Sequence, residues 1–312
     1  MLKFLIILLD ANCPSYCAYE KSEAQEGLMP IEILKKGIRY ALIENLYVQV
    51  VYPDYELNKE YMAVLDSADK IGMASVRSQN ANSADVLIIE EWEDIRQLKC
   101  NPEGTYILRS SKELLFEHFN LLEDFIKKVK RVNLVITNID TFTDDDFSRY
   151  EVVLREISDR LVTRFQQEAT LPEVNILTDR IMLNQMNNCN AGIENITLAP
   201  DGYFYVCPGF YYEGKSVGNI YEVLCIKNPQ LLRIDHAPIC SQCDAYHCKR
   251  CVWLNKKTTL EFNTPSHEQC VLSHIERNAS RELLVRLKEF GLMTESKIKK
   301  ISYLDPFEKY FK

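Results

Sequence analysis

Residues 3–20 read KFLIILLDANCPSYCAYE. An uninterrupted apolar run ends at Asp10, and behind it Cys13 and Cys17 stand four apart, followed by Tyr19 and Glu20. A bilayer span takes about 20 apolar residues, so the run is too short to cross one. It also lacks the small residues of a secretory cleavage site. It reads as a buried strand, and the cysteines as part of the loop at its carboxyl end. Loops at that end carry the reactive groups of parallel α/β sheets.

Moving outward, similar apolar runs recur at YVQVVY (47–52), DVLIIEE (85–91), TYILRS (105–110), VNLVITN (132–138) and EVNILT (173–178). Most are separated by stretches with helical spacing. One helix begins near Pro30, a residue suited to a first helical turn. The longest starts after Thr143, a candidate N-cap, with Asp144, Asp145 and Asp146 in the turn where negative charge is favourable. Its apolar face is Phe147, Tyr150, Leu154, Ile157, Leu161 and Phe165. Six βα-like units predict a mostly parallel sheet. An open doubly wound sheet and a curved, incomplete barrel both fit.

The chain has 312 residues, 46% hydrophobic and 26% charged, which is ordinary for a globular protein of about two domains. A net charge of −8 argues against general affinity for nucleic-acid phosphates. The cluster Lys127, Lys128, Lys130 and Arg131 reads as a solvated helix end. No membrane span is legible, and the expected location is the cytoplasm. In a reducing compartment, clustered cysteines read as metal ligands before disulfides.

After about residue 185 the texture changes. ITLAPDGYFYVCPGFYY (196–212) predicts two strands around a turn at Asp201 and Gly202. Seven of the eleven cysteines form an ordered pattern: Cys189, Cys207, Cys240, Cys243, Cys248, Cys251 and Cys270. SRELLVRLKEFG (280–291) predicts a final helix, and a lysine-rich tail follows. The expected division is 1–185, 186–277 and 278–312. Seven thiolates exceed the four of one closed tetrahedral site. Two CxxC pairs so close together make a single zinc ribbon awkward. Two centres account for the pattern, with iron–sulfur or zinc as the metal. Cys100 and Cys225 fall outside it, and His236 and His247 read as neighbours of the ligands.

The run Cys189…Gly202-x4-Cys207…Cys240-x2-Cys243…Cys248…Cys251…Cys270 resembles the SPASM domain, the auxiliary iron–sulfur module of radical SAM peptide-modifying enzymes. The usual central spacings of five and three residues are four and two here. The resemblance implies one auxiliary [4Fe–4S] cluster on Cys240, Cys243, Cys248 and Cys270. The other would use Cys189, Cys207 and Cys251, with an unidentified fourth ligand. It also implies a preceding partial (β/α)6, TIM-like barrel with CxxxCxxC after its first strand. Three such cysteines hold a cluster that binds S-adenosylmethionine and cleaves it to a carbon radical.

Cys13-x3-Cys17-x2-Glu20 has the position and spacing of that motif, with Glu20 in place of the third thiolate. Carboxylate is a harder ligand, less suited to iron–sulfur chemistry. The family's glycine-glycine-glutamate turn is missing as well; VQVVYPDYEL (48–57) stands there. The N-terminal stretch thus resembles a degenerate radical SAM site. LLDANCPSYCAYE (8–20) and residues 243–280 resemble the CXXX-repeat peptide maturases, which implies a ribosomally made, cysteine-rich precursor peptide as substrate or partner. Three functions follow as expectations. The chain is a radical-SAM-like peptide maturase, a non-catalytic binding or electron-transfer partner of a modifying enzyme, or a zinc-stabilised interaction protein.

Overall fold

Strand β1 (Phe4–Leu8) lies inside the sheet, with Leu5, Ile6, Ile7 and Leu8 at most 5% exposed. A strand covered on both faces needs no polar alternation, hence the unbroken apolar run. Each such side chain contributes about 1.5–3 kcal/mol by leaving water. The computed structural model describes residues 2–21, 27–182, 189–222, 224–245, 248 and 251–291.

From β1 the chain runs through α1 (Ile31–Ile43), β2 (Tyr47–Val51), α2 (Lys59–Leu65), β3 (Lys70–Ser75), β4 (Val86–Ile89), α3 (Trp92–Gln97) and β5 (Thr105–Ser110). There follow α4 (Lys112–Ile126), β6 (Arg131–Ile136), α5 (Asp144–Glu168), β7 (Glu173–Val174) and α6 (Asp179–Met182). The second part holds β8 (Asn195–Leu198), β9 (Tyr203–Tyr205), α7 (Pro208–Tyr212), β10 (Gly218–Asn219), α8 (Val252–Thr259) and α9 (His267–Glu289).

All strands form one sheet in the order β10-β9-β8-β1-β2-β3-β4-β5-β6-β7. Every pair from β8 to β7 is parallel, and the two antiparallel pairs are β8 with β9 and β9 with β10. The sheet is mixed but mostly parallel, wound with helices, and not closed. The Asp201 and Gly202 turn lies where the sequence placed it, with Gly202 at φ +79°, a conformation that favours glycine. Thr143 caps α5 in a reciprocal capping box with Asp146.

Three elements depart from the sequence reading. β3, KIGMAS, was passed over because glycine, alanine and serine give no apolar run, although residues 72–75 are buried. EVNILT is a strand only at Glu173 and Val174, because Leu177 and Thr178 turn back onto Val174. The final helix begins at His267, not Ser280. Ser266 caps it by accepting the Gln269 N–H, and its polar first half hides the apolar stripe. α9 packs against α5. Glu276 of α9 pairs with the fully buried Arg180 at 2.9 Å and accepts the Tyr150 hydroxyl at 2.9 Å.

The expected division at 185–186 and the lysine-rich tail lie outside the described residues, and the sheet continues past that division through β8. Among the described residues no helix is long and apolar enough to cross a membrane.

Candidate functional site

The loop after β1 lies over the carboxyl ends of the strands. Arg109, near the end of β5, donates from Nε to the Cys17 carbonyl at 2.9 Å and from Nη2 to the Tyr19 carbonyl at 3.0 Å. Its Nη1 is 3.0 Å from Glu90, just past β4. The Tyr212 hydroxyl donates to the Ala11 carbonyl at 2.9 Å. Asp10 receives the Tyr55 hydroxyl at 2.6 Å and the Asn12 N–H at 2.7 Å.

Within this loop Cys13 faces inward, 0% exposed. Its thiol donates to the Val51 carbonyl at 3.0 Å, and its sulfur accepts the Asp10 N–H at 3.3 Å. Burial holds this thiol well above the ordinary cysteine range, and the Asp10 charge adds to that. Cys17 is half-buried and Glu20 is exposed. The ligand atoms of Cys13, Cys17 and Glu20 do not all lie within 4.8 Å of one another.

Two further thiol sets converge. Cys207 precedes α7 and Cys251 caps α8, its sulfur accepting the Leu254 N–H at 3.4 Å. Burial raises the Cys207 thiol, and Cys251 and Cys189 raise it further, so the three thiols feel one another's charge. Burial, then Cys189, pushes Cys251 up to about 12. Backbone N–H groups of Gly209, Phe210, Trp253 and Leu254 pull the other way. Cys17, Cys207 and Cys251 pack on the same apolar cluster as Tyr19, Phe210 and Trp253.

The second set centres on α9. Burial, then Cys240 and Cys243, pushes Cys270 up to about 11. Cys243 accepts the Ala245 N–H at 3.3 Å and lies 3.4 Å from Nε2 of His274. Asp244 pairs with Arg277 and, at 2.8 Å, with Arg281. Although burial opposes it, these two guanidinium groups hold the Asp244 carboxyl below its usual range. Cys248 is half-buried in the loop before α8.

The donor sets suit a metal centre, since thiolates brought this close need positive charge between them. Thiolates on one tetrahedral zinc sit about 3.8 Å apart. Among the described residues no three thiols have their sulfurs all within 4.8 Å of one another. Near the first set, the buried Trp253 Nε1–H and Tyr19 hydroxyl have no hydrogen-bond partner among the described residues. Cluster sulfides accept such donors. The Trp253 ring sits where a Cβ on Gly209 would fall, 2.6 Å away.

His236 is exposed, and His247 lies outside the described residues. The sequence reading missed His274 and Arg109. Cys270 and His274, four apart on one helix, were a legible signal hidden by starting that helix at Ser280. Nothing in TYILRS marked Arg109.

No protein-family model matches this chain, and no curated protein matches it. Among solved structures it is similar to native anSMEcpe, solved with bound AdoMet and the Cp18Cys peptide. The TM-score is 0.61 at 12% identity, covering 93% of this chain and 99% of that one. The chain has that fold. Streptococcus suis SuiB bound to its precursor peptide SuiA also matches, with a TM-score of 0.41 at 11% identity over 72% of this chain and 63% of that one.

Proposed function

We propose that this chain takes part in maturing a ribosomally made, cysteine-rich precursor peptide and carries two auxiliary [4Fe–4S] centres. Cys189, Cys207 and Cys251 would hold one, and Cys240, Cys243, Cys248 and Cys270 the other. The observation that supports this reading is the convergence of two thiol sets on a fold shared with a protein solved with AdoMet and a peptide. Such centres supply one-electron chemistry when present. This chain's own residues orient the loop over the sheet, through Arg109 and Tyr212, and half-bury Cys207 and Cys251.

A second reading is favoured by Cys13. Its thiol is spent on the Val51 carbonyl inside the core, so the amino-terminal loop would serve as a docking surface. The chain would then bind the peptide or pass electrons for a partner enzyme without cleaving S-adenosylmethionine itself.

Iron, zinc and sulfide analysis of anaerobically purified wild type and Cys17→Ala tests the two-centre reading. Two [4Fe–4S] centres give about eight irons and eight sulfides per chain. Unchanged content in Cys17→Ala supports the non-catalytic reading. Loss of about four irons supports a third, SAM-binding cluster, and 5′-deoxyadenosine under a strong reductant would establish catalysis. Zinc without labile sulfide would reject both in favour of a zinc-stabilised interaction protein.

A further inference from the structure

His274 has no part in the ligand assignment above, yet its ring stands at the second thiol set. It lies one helical turn beyond Cys270 on α9, with Nε2 3.4 Å from the Cys243 sulfur. The structure groups Cys243, Asp244 and His274, with one ligand atom from each inside 4.8 Å of the others. Asp244 is already neutralised by Arg277 and Arg281 from the same helix. A carboxylate so paired is a poor metal ligand, so the imidazole is the polar group the helix turns toward this sulfur.

Two roles fit a nitrogen at this distance. A nitrogen and a thiolate on one tetrahedral ion would be about 3.5 Å apart. That arrangement needs further ligands closing in around the same ion. Among the described residues the third close group is only the ion-paired Asp244. An N–H···S hydrogen bond needs nothing more than the two partners. The Cys243 sulfur already accepts the Ala245 N–H at 3.3 Å, so a second donor completes a pattern begun by the backbone.

Building on the two-centre reading, we infer that His274 is a positioning residue that donates Nε2–H to the Cys243 thiolate and thereby raises the reduction potential of the second centre. Donors to a ligand sulfur draw off electron density and stabilise the reduced, more negative state. In the step concerned, one electron passes from an external reductant to the centre. No bond to the imidazole forms or breaks.

The test is an EPR-monitored redox titration of anaerobically reconstituted wild type, His274→Phe and His274→Gln, with iron and sulfide measured on each. The signal of the second centre is the one that Cys270→Ala abolishes. The expected result is wild-type iron and sulfide in both variants. The midpoint falls in His274→Phe, and His274→Gln, which keeps an N–H donor, returns toward wild type. An unmoved midpoint in a fully loaded His274→Phe overturns the inference. So does loss of about four irons from both folded variants, since that makes His274 a ligand. A wild type without iron or sulfide rejects the two-centre reading itself and this inference with it.

Discussion

Cys13 and Cys270 both belong to a spaced cysteine motif, and burial raises both thiols, yet their sulfurs face different partners. Cys13 meets a carbonyl and an N–H of the surrounding strand and loop, which satisfy it inside the core. Cys270 feels the charge of other sulfurs, Cys240 and Cys243, delivered by a separate loop. The difference teaches that spacing along the chain supplies candidate ligands, whereas a site requires the fold to bring their sulfurs toward one another. The amino-terminal loop is held by hydrogen bonds to its own backbone. The second thiol set is held by α9, which a buried ion pair fixes to α6.

The sharpest way to break this comparison is to remove one thiol from each region. Cys270→Ala and Cys251→Ala should each lose about four irons per chain, while Cys13→Ala should lose none; iron analysis decides. Equal losses from all three would put Cys13 among the ligands.

Next in size is the α9 tether. Glu276→Gln leaves the Arg180 guanidinium buried without its countercharge and should cost about 3–5 kcal/mol in urea unfolding. A change under 1 kcal/mol would show that α9 is held by apolar contact alone.

The corresponding tether of the first loop is Arg109. Arg109→Met removes two charge-assisted bonds to carbonyls at Cys17 and Tyr19, worth about 1.5–3 kcal/mol each before solvent replaces them. Faster hydrogen exchange confined to residues 11–21 is the expected outcome, with the iron content retained.

The smallest effect is on Cys13 itself. Cys13→Ala should destabilise by about 1–2 kcal/mol, through a small cavity and the loss of one of the two bonds to the Val51 carbonyl, which keeps the Leu9 N–H. Thermal unfolding of the metal-free protein measures it. No destabilisation would mean that the thiol's hydrogen bonds carry no weight.

Much of the scaffold was legible because burial on both strand faces writes continuous apolar runs, as in FLIIL of β1. The Thr143 cap and the Gly202 turn were legible for equally local reasons. β3 was not, since its Gly72, Ala74 and Ser75 carry little apolar bulk. α9 was misjudged because its first half, HEQCVLSHIERN, turns only Gln269 and Leu272 into buried positions. His274 went unread with it.

By itself the sequence determined the mostly parallel α/β plan and offered seven spaced thiols as candidate ligands, since both follow from local periodicity and residue chemistry. Only the tertiary structure decided that β8 joins β1, that the Cys13 sulfur turns into the core, and that α9 brings Cys270 and His274 up to the Cys243 loop. These are contacts between residues far apart in the chain, and no local pattern records which distant partner will satisfy a given polar atom.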